Sequence, residues 1–244
     1  MSHGPLPTVE VRRAVMRMHW DELTFIHHAY EPAEIQRLLP PELSVQTFDG
    51  KAWISLVPFV MRITLPGEPF RLPFIGRFPE TNVRTYVTAA DGTEGIWFFS
   101  LDAGSALGTL GGRIGYRLPY MFAKMSVTHE DDRISYDCRR RIPGPRGAAS
   151  RVTTQIGQAY EPHELTELDH WLSARWRLYS HMFRRSFGAR AVHEAWPLRK
   201  ATLLEYDDGL IEAAGLTKPI DDPIVQYAHR VSVRIGRPYR IQAR

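Results

Sequence analysis

Four times in this chain, two runs of strand-forming residues flank a short polar turn. That recurrence constrains the fold more than any other feature. Residues 45–48 and 51–57 flank Asp49-Gly50, a pair that tolerates the positive φ angles of a tight hairpin. Residues 82–89 and 96–101 flank a loop containing Asp91-Gly92, and residues 121–128 and 134–140 flank Glu130-Asp131-Asp132. Residues 201–206 and 210–213 flank Asp207-Asp208-Gly209. A hairpin joins only antiparallel strands, so the pattern predicts an antiparallel sheet. Helices are expected at residues 32–39, which open on Pro32 and halt at Pro40-Pro41, and at about 164–175, where Leu165, Leu168, Trp171 and Leu172 keep helical spacing. Beyond that second helix, Arg177, Tyr179, His181 and Phe183 alternate like a strand, and the reading there stays open.

The fold class expected is therefore α+β, mainly antiparallel β, with a few flanking helices. A closed or cone-like sheet removes exposed edges and can enclose a ligand cavity. The 244 residues show no internal repeat, and Pro143-Gly144-Pro145-Arg146-Gly147 is too short for a domain linker. One domain over residues 1–244 is expected, with residues 1–15 a loose N-terminal segment.

Several function classes are set aside on composition. A 43% hydrophobic and 24% charged chain is ordinary for a globular protein and not for a disordered one. Cys138 is the single cysteine, so neither a disulfide framework nor a multi-cysteine metal site is expected. No apolar run reaches the roughly 18 residues of a membrane span, and the first residues lack the apolar centre of a signal peptide. No membrane partner and a cytoplasmic location are the expectation. Net charge is +4, and only four of 31 basic residues are lysines. The arginines at 139–141, 184–185 and 230–244 read as solvated loops and ends, because no nucleic-acid-binding module accompanies them. No nucleic-acid partner is expected.

No GxGxxG, P-loop, HExxH or GxSxG pattern occurs, so no cofactor and no metal are expected. Adjacent His27 and His28 point to opposite faces of a strand and cannot share one metal. Cys138 precedes three arginines, which could lower a thiol pKa, but no histidine base is positioned for it; a structural thiol is the favoured reading.

Two stretches can carry chemistry. On a strand, Glu80, Asn82, Arg84 and Tyr86 share one face. That face either meets water or lines a polar cavity. The next strand, Ile96-Trp97-Phe98-Phe99-Ser100-Leu101, is apolar on both faces and so argues for the cavity. In the second stretch, Tyr120, Phe122, Lys124 and Ser126 share a face. A lysine held among aromatics would have a depressed pKa and could attack a carbonyl, whereas the favoured reading sends the Lys124 ammonium to solvent.

These segments resemble the YqjF-like family of bacterial proteins, related to the acetoacetate decarboxylase superfamily. The likeness runs from Trp20 to about Tyr227. It rests on Leu38-Leu39-Pro40-Pro41-Glu42-Leu43, Thr47-Phe48-Asp49-Gly50-Lys51-Ala52-Trp53, Asn82-Val83-Arg84-Thr85-Tyr86-Val87, Trp97-Phe98-Phe99-Ser100-Leu101-Asp102, Leu118-Pro119-Tyr120 and Trp196-Pro197-Leu198. The resemblance implies an acetoacetate-decarboxylase-like β-cone or barrel around an apolar pocket. In the superfamily's decarboxylases a Schiff-base lysine follows a proline, beside a second lysine. Here Pro119 is followed by Tyr120 and Met121, so Schiff-base chemistry is not expected. Glu80, Asn82 and Arg84 fall near the segment that supplies the decarboxylase's acidic pocket residue.

The candidate catalytic residues are thus Glu80, Tyr120 and Lys124, with Asn82 and Arg84 contacting a ligand. Arg84 would pair with a carboxylate or enolate oxygen, and Tyr120 or Glu80 would act as acid or base. The expected function is binding, and in one reading transforming, a small oxygenated molecule such as a keto acid. A non-catalytic ligand-binding or sensory protein is the alternative, and a structural module with a filled cone is the third. The sequence leaves the oligomeric state open.

Overall fold

The computed structural model describes residues 4–64, 76–182 and 185–241. Strand β1 spans Met16–Tyr30, followed by α1 (Pro32–Gln36), β2 (Leu43–Val45), β3 (Ala52–Thr64), β4 (Arg77–Ala89) and β5 (Glu94–Ala103). Helix α2 (Ala106–Gly115) leads to β6 (Tyr120–Glu130), β7 (Arg133–Ile142), β8 (Ala149–Ala159) and α3 (Glu167–Ser173). The chain ends with β9 (Arg177–Met182), β10 (Arg185–His193), β11 (Leu198–Asp208), α4 (Leu210–Ala213), β12 (Ile224–Ile235) and β13 (Tyr239–Arg240).

Nine strands close a barrel in the order β5-β6-β7-β8-β11-β12-β1-β3-β4, with β4 pairing back onto β5. All of these pairings are antiparallel except β5 with β6. Strands β9 and β10 form a second path between β5 and β12, β9 running parallel to β5 and β10 antiparallel to β12. The wall β12-β1-β3-β4-β5 therefore belongs to two closed circuits, and each of its faces turns toward one of them. Alternation along β3 records this: Ile54 and Leu56 join one core cluster, while Val57, Phe59 and Met61 join another. Every residue from Ala52 to Met61 is buried, which a sheet with one face in water would not show.

Pro58 sits in this interior strand without an N–H to donate, a position that normally requires a bulge. The β1–β3 register shifts between Asp21 and Ile26, where Glu22 takes φ +53°, so β1 bulges opposite the proline. Arg140 is buried inside the nine-strand barrel and grips Asp102 bidentately, Nε to Oδ1 and Nη2 to Oδ2 both at 2.7 Å.

Four sequence expectations need correction. Asp49 and Gly50 do make the left-handed turn, at φ +49° and +75°, closing a bridge between Phe48 and Lys51. However, β2 ends at Val45 and pairs with β4, not with β3. Residues 210–213 form helix α4, because the Asp208 carboxylate accepts from the backbone N–H groups of Leu210 and Ile211 at 3.2 and 3.0 Å. The helices near 32–39 and 164–175 are shorter than expected. The latter starts at Thr166, whose hydroxyl and backbone N–H form a reciprocal capping box with Asp169. Helix α2 was not anticipated, since four glycines interrupt its apolar pattern.

The open reading after α3 resolves as strand β9 from Arg177 to Met182; Phe183 lies outside the described residues. Residues 4–15 carry no strand or helix, yet Val11 is buried at 3% exposure and Val15 donates to Ile235. Among the described residues no helix is long and apolar enough to cross a membrane.

Candidate functional site

The second circuit surrounds a cavity of about 1030 Å³. Its floor is β4, where Phe78, Glu80, Asn82 and Arg84 succeed one another on one face and all line the cavity. Val83, on the opposite face, packs into the nine-strand barrel. Opposite residues of β3 extend the wall: Met61 pairs with Phe78, Phe59 with Glu80, and Val57 with Asn82. Tyr86, next on the same face, is wholly buried beyond the end of the cavity lining.

Glu80 is 1% exposed. The Tyr120 hydroxyl donates to its Oε2 at 3.1 Å. Burial pushes the carboxyl pKa up to about 8, with the Asp102 charge adding to the rise and hydrogen bonds from Tyr120 and Asn82 opposing it. Glu80 is therefore mostly protonated at pH 7 and can both donate and accept. Burial together with the Glu80 carboxyl raises the Tyr120 pKa well above normal, so the phenol stays neutral.

Tyr120 is the first residue of β6 and is held from two sides. Arg113 of α2 donates to its carbonyl at 2.7 Å, and Gly112 lies against its ring. The absence of side chains on Gly108 and Gly112 lets α2 approach Phe78 and Tyr120, which explains a helix rich in a poor helix former.

Arg84 is 5% exposed, with its guanidinium 5.4 Å from the Phe25 ring centroid and its Nε without a hydrogen-bond partner. Burial lowers its pKa, an effect partly offset by Tyr86 beside it. Arg175 joins it from the segment after α3. It stacks over Tyr86 and Trp171 at 4.9 and 4.6 Å and donates to the carbonyl of Ala174 and Oε1 of Gln46, again leaving Nε unpartnered. Burial lowers the Arg175 pKa to about 10, so it stays charged at neutral pH. Among the described residues neither arginine has a carboxylate within ion-pairing distance.

His193 also lines the cavity, packed among Trp176, Trp196 and Trp20. Its Nδ1 donates to the Glu194 carbonyl at 2.6 Å, and burial lowers its pKa to about 4, giving a neutral ring at pH 7.

Of the five residues singled out in the sequence, the structure brings four to the cavity: Glu80, Asn82, Arg84 and Tyr120. Lys124 does not join them; it is exposed and absent from the lining. It shares a face with Tyr120 as alternation requires, but β5 and β6 pair only from Tyr120 to Phe122, and beyond that point the face meets solvent. Arg175 and His193 were missed. Each stands alone in its segment, and the only local hint was an arginine flanked by Trp171 and Trp176.

His27 and His28 point to opposite faces, bonded to Ser55 and Tyr206 respectively. Cys138 is buried, and burial pushes its thiol pKa up, away from reactivity.

The closed, mainly antiparallel barrel is matched by solved structures of acetoacetate-decarboxylase-like proteins. An acetoacetate decarboxylase-like enzyme from Sphingomonas wittichii RW1 superposes with a TM-score of 0.67 at 14% identity, covering 96% of each chain. The enduracididine biosynthesis enzyme MppR complexed with pyruvate gives 0.65 at 12% identity, over 95% of this chain and 92% of that one. Acetoacetate decarboxylase from Legionella pneumophila gives 0.64 at 13% identity, over 98% and 92%. At these identities the likeness is one of fold.

The chain belongs to the DUF2071 family, described as uncharacterized conserved proteins, which matches residues 17–232. It is 33% identical over 219 residues to the uncharacterized protein YqjF of Bacillus subtilis (strain 168), covering 90% of this chain and 89% of that protein.

Proposed function

We propose that the cavity binds a carboxylate-bearing carbonyl compound of the keto-acid class and performs acid–base chemistry on it. The observation that carries this reading is Arg84: a charged guanidinium, 5% exposed, with an unpartnered Nε in a largely apolar cavity. A buried cation with no counter-ion among the described residues is costly, and an anionic ligand would complete it. Arg175, whose charge acts on the same space, adds a second donor set. MppR, of the same fold, has been solved with pyruvate bound, which supports this class of ligand.

Glu80 supplies the acid–base group. With a pKa of about 8 the carboxyl exists in both forms near neutral pH. The ionised form can take a proton from the carbon beside the ligand carbonyl and, once protonated, return one to the enolate, while Tyr120 holds the carboxyl in place. None of the four lysines, Lys51, Lys124, Lys200 and Lys218, is among the cavity-lining residues, so the reading does not run through a Schiff base. A structural module with a filled interior is disfavoured by the cavity itself.

The test is calorimetric titration of pyruvate and acetoacetate into wild type and Arg84→Met, followed by proton NMR in D2O. Binding lost in Arg84→Met, with deuterium entering the carbon beside the carbonyl and not doing so in Glu80→Gln, is the expected result. Binding without exchange would leave a non-catalytic ligand-binding or sensory protein. No binding would overturn the proposal.

A further inference from the structure

We infer that the ligand is an elongated, mostly apolar carboxylate, with its acid group at Arg84 and Arg175 and an alkyl or aryl body reaching past Glu80 toward Phe78. This rests on the carboxylate reading above and adds the size and shape of the ligand.

The spacing of the floor is the first argument. Successive residues on one face of a strand stand about 6.8 Å apart, so Glu80 lies about 14 Å and Phe78 about 20 Å from Arg84 along the backbone of β4. Glu80 and Arg84 are not ion-paired, although both are buried on the same face. A three-carbon acid between the Arg84 and Glu80 side chains would therefore leave the stretch from Glu80 to Phe78 empty.

The chemistry of the walls is the second argument. Unpartnered polar atoms gather at one end, at Arg84 Nε, Arg175 Nε and Asn82 Oδ1. Between Glu80 and Phe78 the floor and its partner strand present Phe59, Met61 and Phe78, and α2 contributes the bare backbone of Gly108 and Gly111; Arg62 and Arg77 enter the lining only at the next pair, past Phe78. Water held against such surfaces finds few hydrogen-bond partners, whereas an apolar chain displaces it favourably. The volume of about 1030 Å³ matches the upper end of pockets that hold drug-sized ligands.

The experiment is calorimetric titration of the whole protein with pyruvate, 2-oxopentanoate, 2-oxooctanoate and phenylpyruvate, with uncharged 2-octanone as the control. Affinity is expected to rise by roughly fourfold per added methylene, equivalent to about 0.8 kcal/mol. The gain from pyruvate to 2-oxooctanoate, five methylenes, should be on the order of a thousandfold. Equal affinity for pyruvate and 2-oxooctanoate would overturn the inference while leaving the carboxylate reading intact. If 2-octanone bound as tightly as 2-oxooctanoate, and Arg84→Met changed neither, the carboxylate reading would fall and with it the placement of the acid group. No binding of any of them would remove both.

Discussion

A methyl group built on Gly112 would lie 2.3 Å from Cε2 of Tyr120, well inside van der Waals contact. Helix α2 can therefore seat Tyr120 against Glu80 only while position 112 carries no side chain. Gly112→Ala should push the ring aside and lose the hydrogen bond to Glu80, despite the better intrinsic helix propensity of alanine. We expect destabilisation of about 1–3 kcal/mol from overpacking, measured by urea unfolding, and weaker ligand binding. Gly111→Ala, where nothing lies within 4 Å, serves as the control and should be neutral or stabilising.

Glu80 makes stability depend on pH in an unusual direction. Its carboxyl pKa moves from an ordinary 4.5 up to about 8, so between those limits the folded protein holds a proton that the unfolded chain releases. Stability from this group is fully present below about 4.5 and is lost as pH rises toward 8. Glu80→Gln should abolish that slope. The variant should gain on wild type by a few kcal/mol between pH 5 and pH 8, read from urea midpoints. A constant difference across that range would show that Glu80 is ionised in the folded protein.

His193 acts in the opposite sense. With its pKa lowered to about 4 from 6.5, the unfolded chain binds the extra proton between those values, so this contribution weakens as pH falls. His193→Gln should flatten the acid side of the stability profile below pH 6.5 and leave the slope above pH 7 unchanged.

Arg84 is costly to the folded state. Replacing it with methionine removes a buried charge and an unpartnered Nε while keeping the stem that packs near Phe25. Arg84→Met should raise stability by about 1–3 kcal/mol in the absence of ligand, by thermal or urea unfolding. The same change should abolish stabilisation by added keto acid. A destabilised variant would mean that the contacts of the guanidinium with Tyr86 and Phe25 outweigh the cost of burying its charge.

The Arg140–Asp102 pair differs, because both partners are satisfied. Arg140→Met should cost about 3–5 kcal/mol by stranding a buried carboxylate, and adding Asp102→Leu should restore much of that loss. Additive losses in the double variant would argue against a coupled pair.

Much of this protein was legible one strand at a time. Alternation placed Glu80, Asn82 and Arg84 on a common face, and the turn residues marked the β4–β5 and β6–β7 hairpins. The apolar run from Ile96 to Leu101 signalled a strand covered on both sides. The helix at 210–213 was misread because Asp207-Asp208-Gly209 suits a hairpin as well as a helix start, and only the capping by Asp208 separates the two.

By itself the sequence determined backbone geometry and facing, since both follow from dihedral preferences and side-chain periods that act over a few residues. Whether a given face meets water depends on strands far away in the chain. Residues β9 and β10 contribute, a hundred positions after Arg84, turn the polar face of β4 into the floor of a cavity. The same non-local cover ends before Lys124 and leaves it in solvent, although its facing was read correctly. Arg175 and His193 reach the cavity only because β9 and β10 bridge β5 to β12, and no local pattern records that closure.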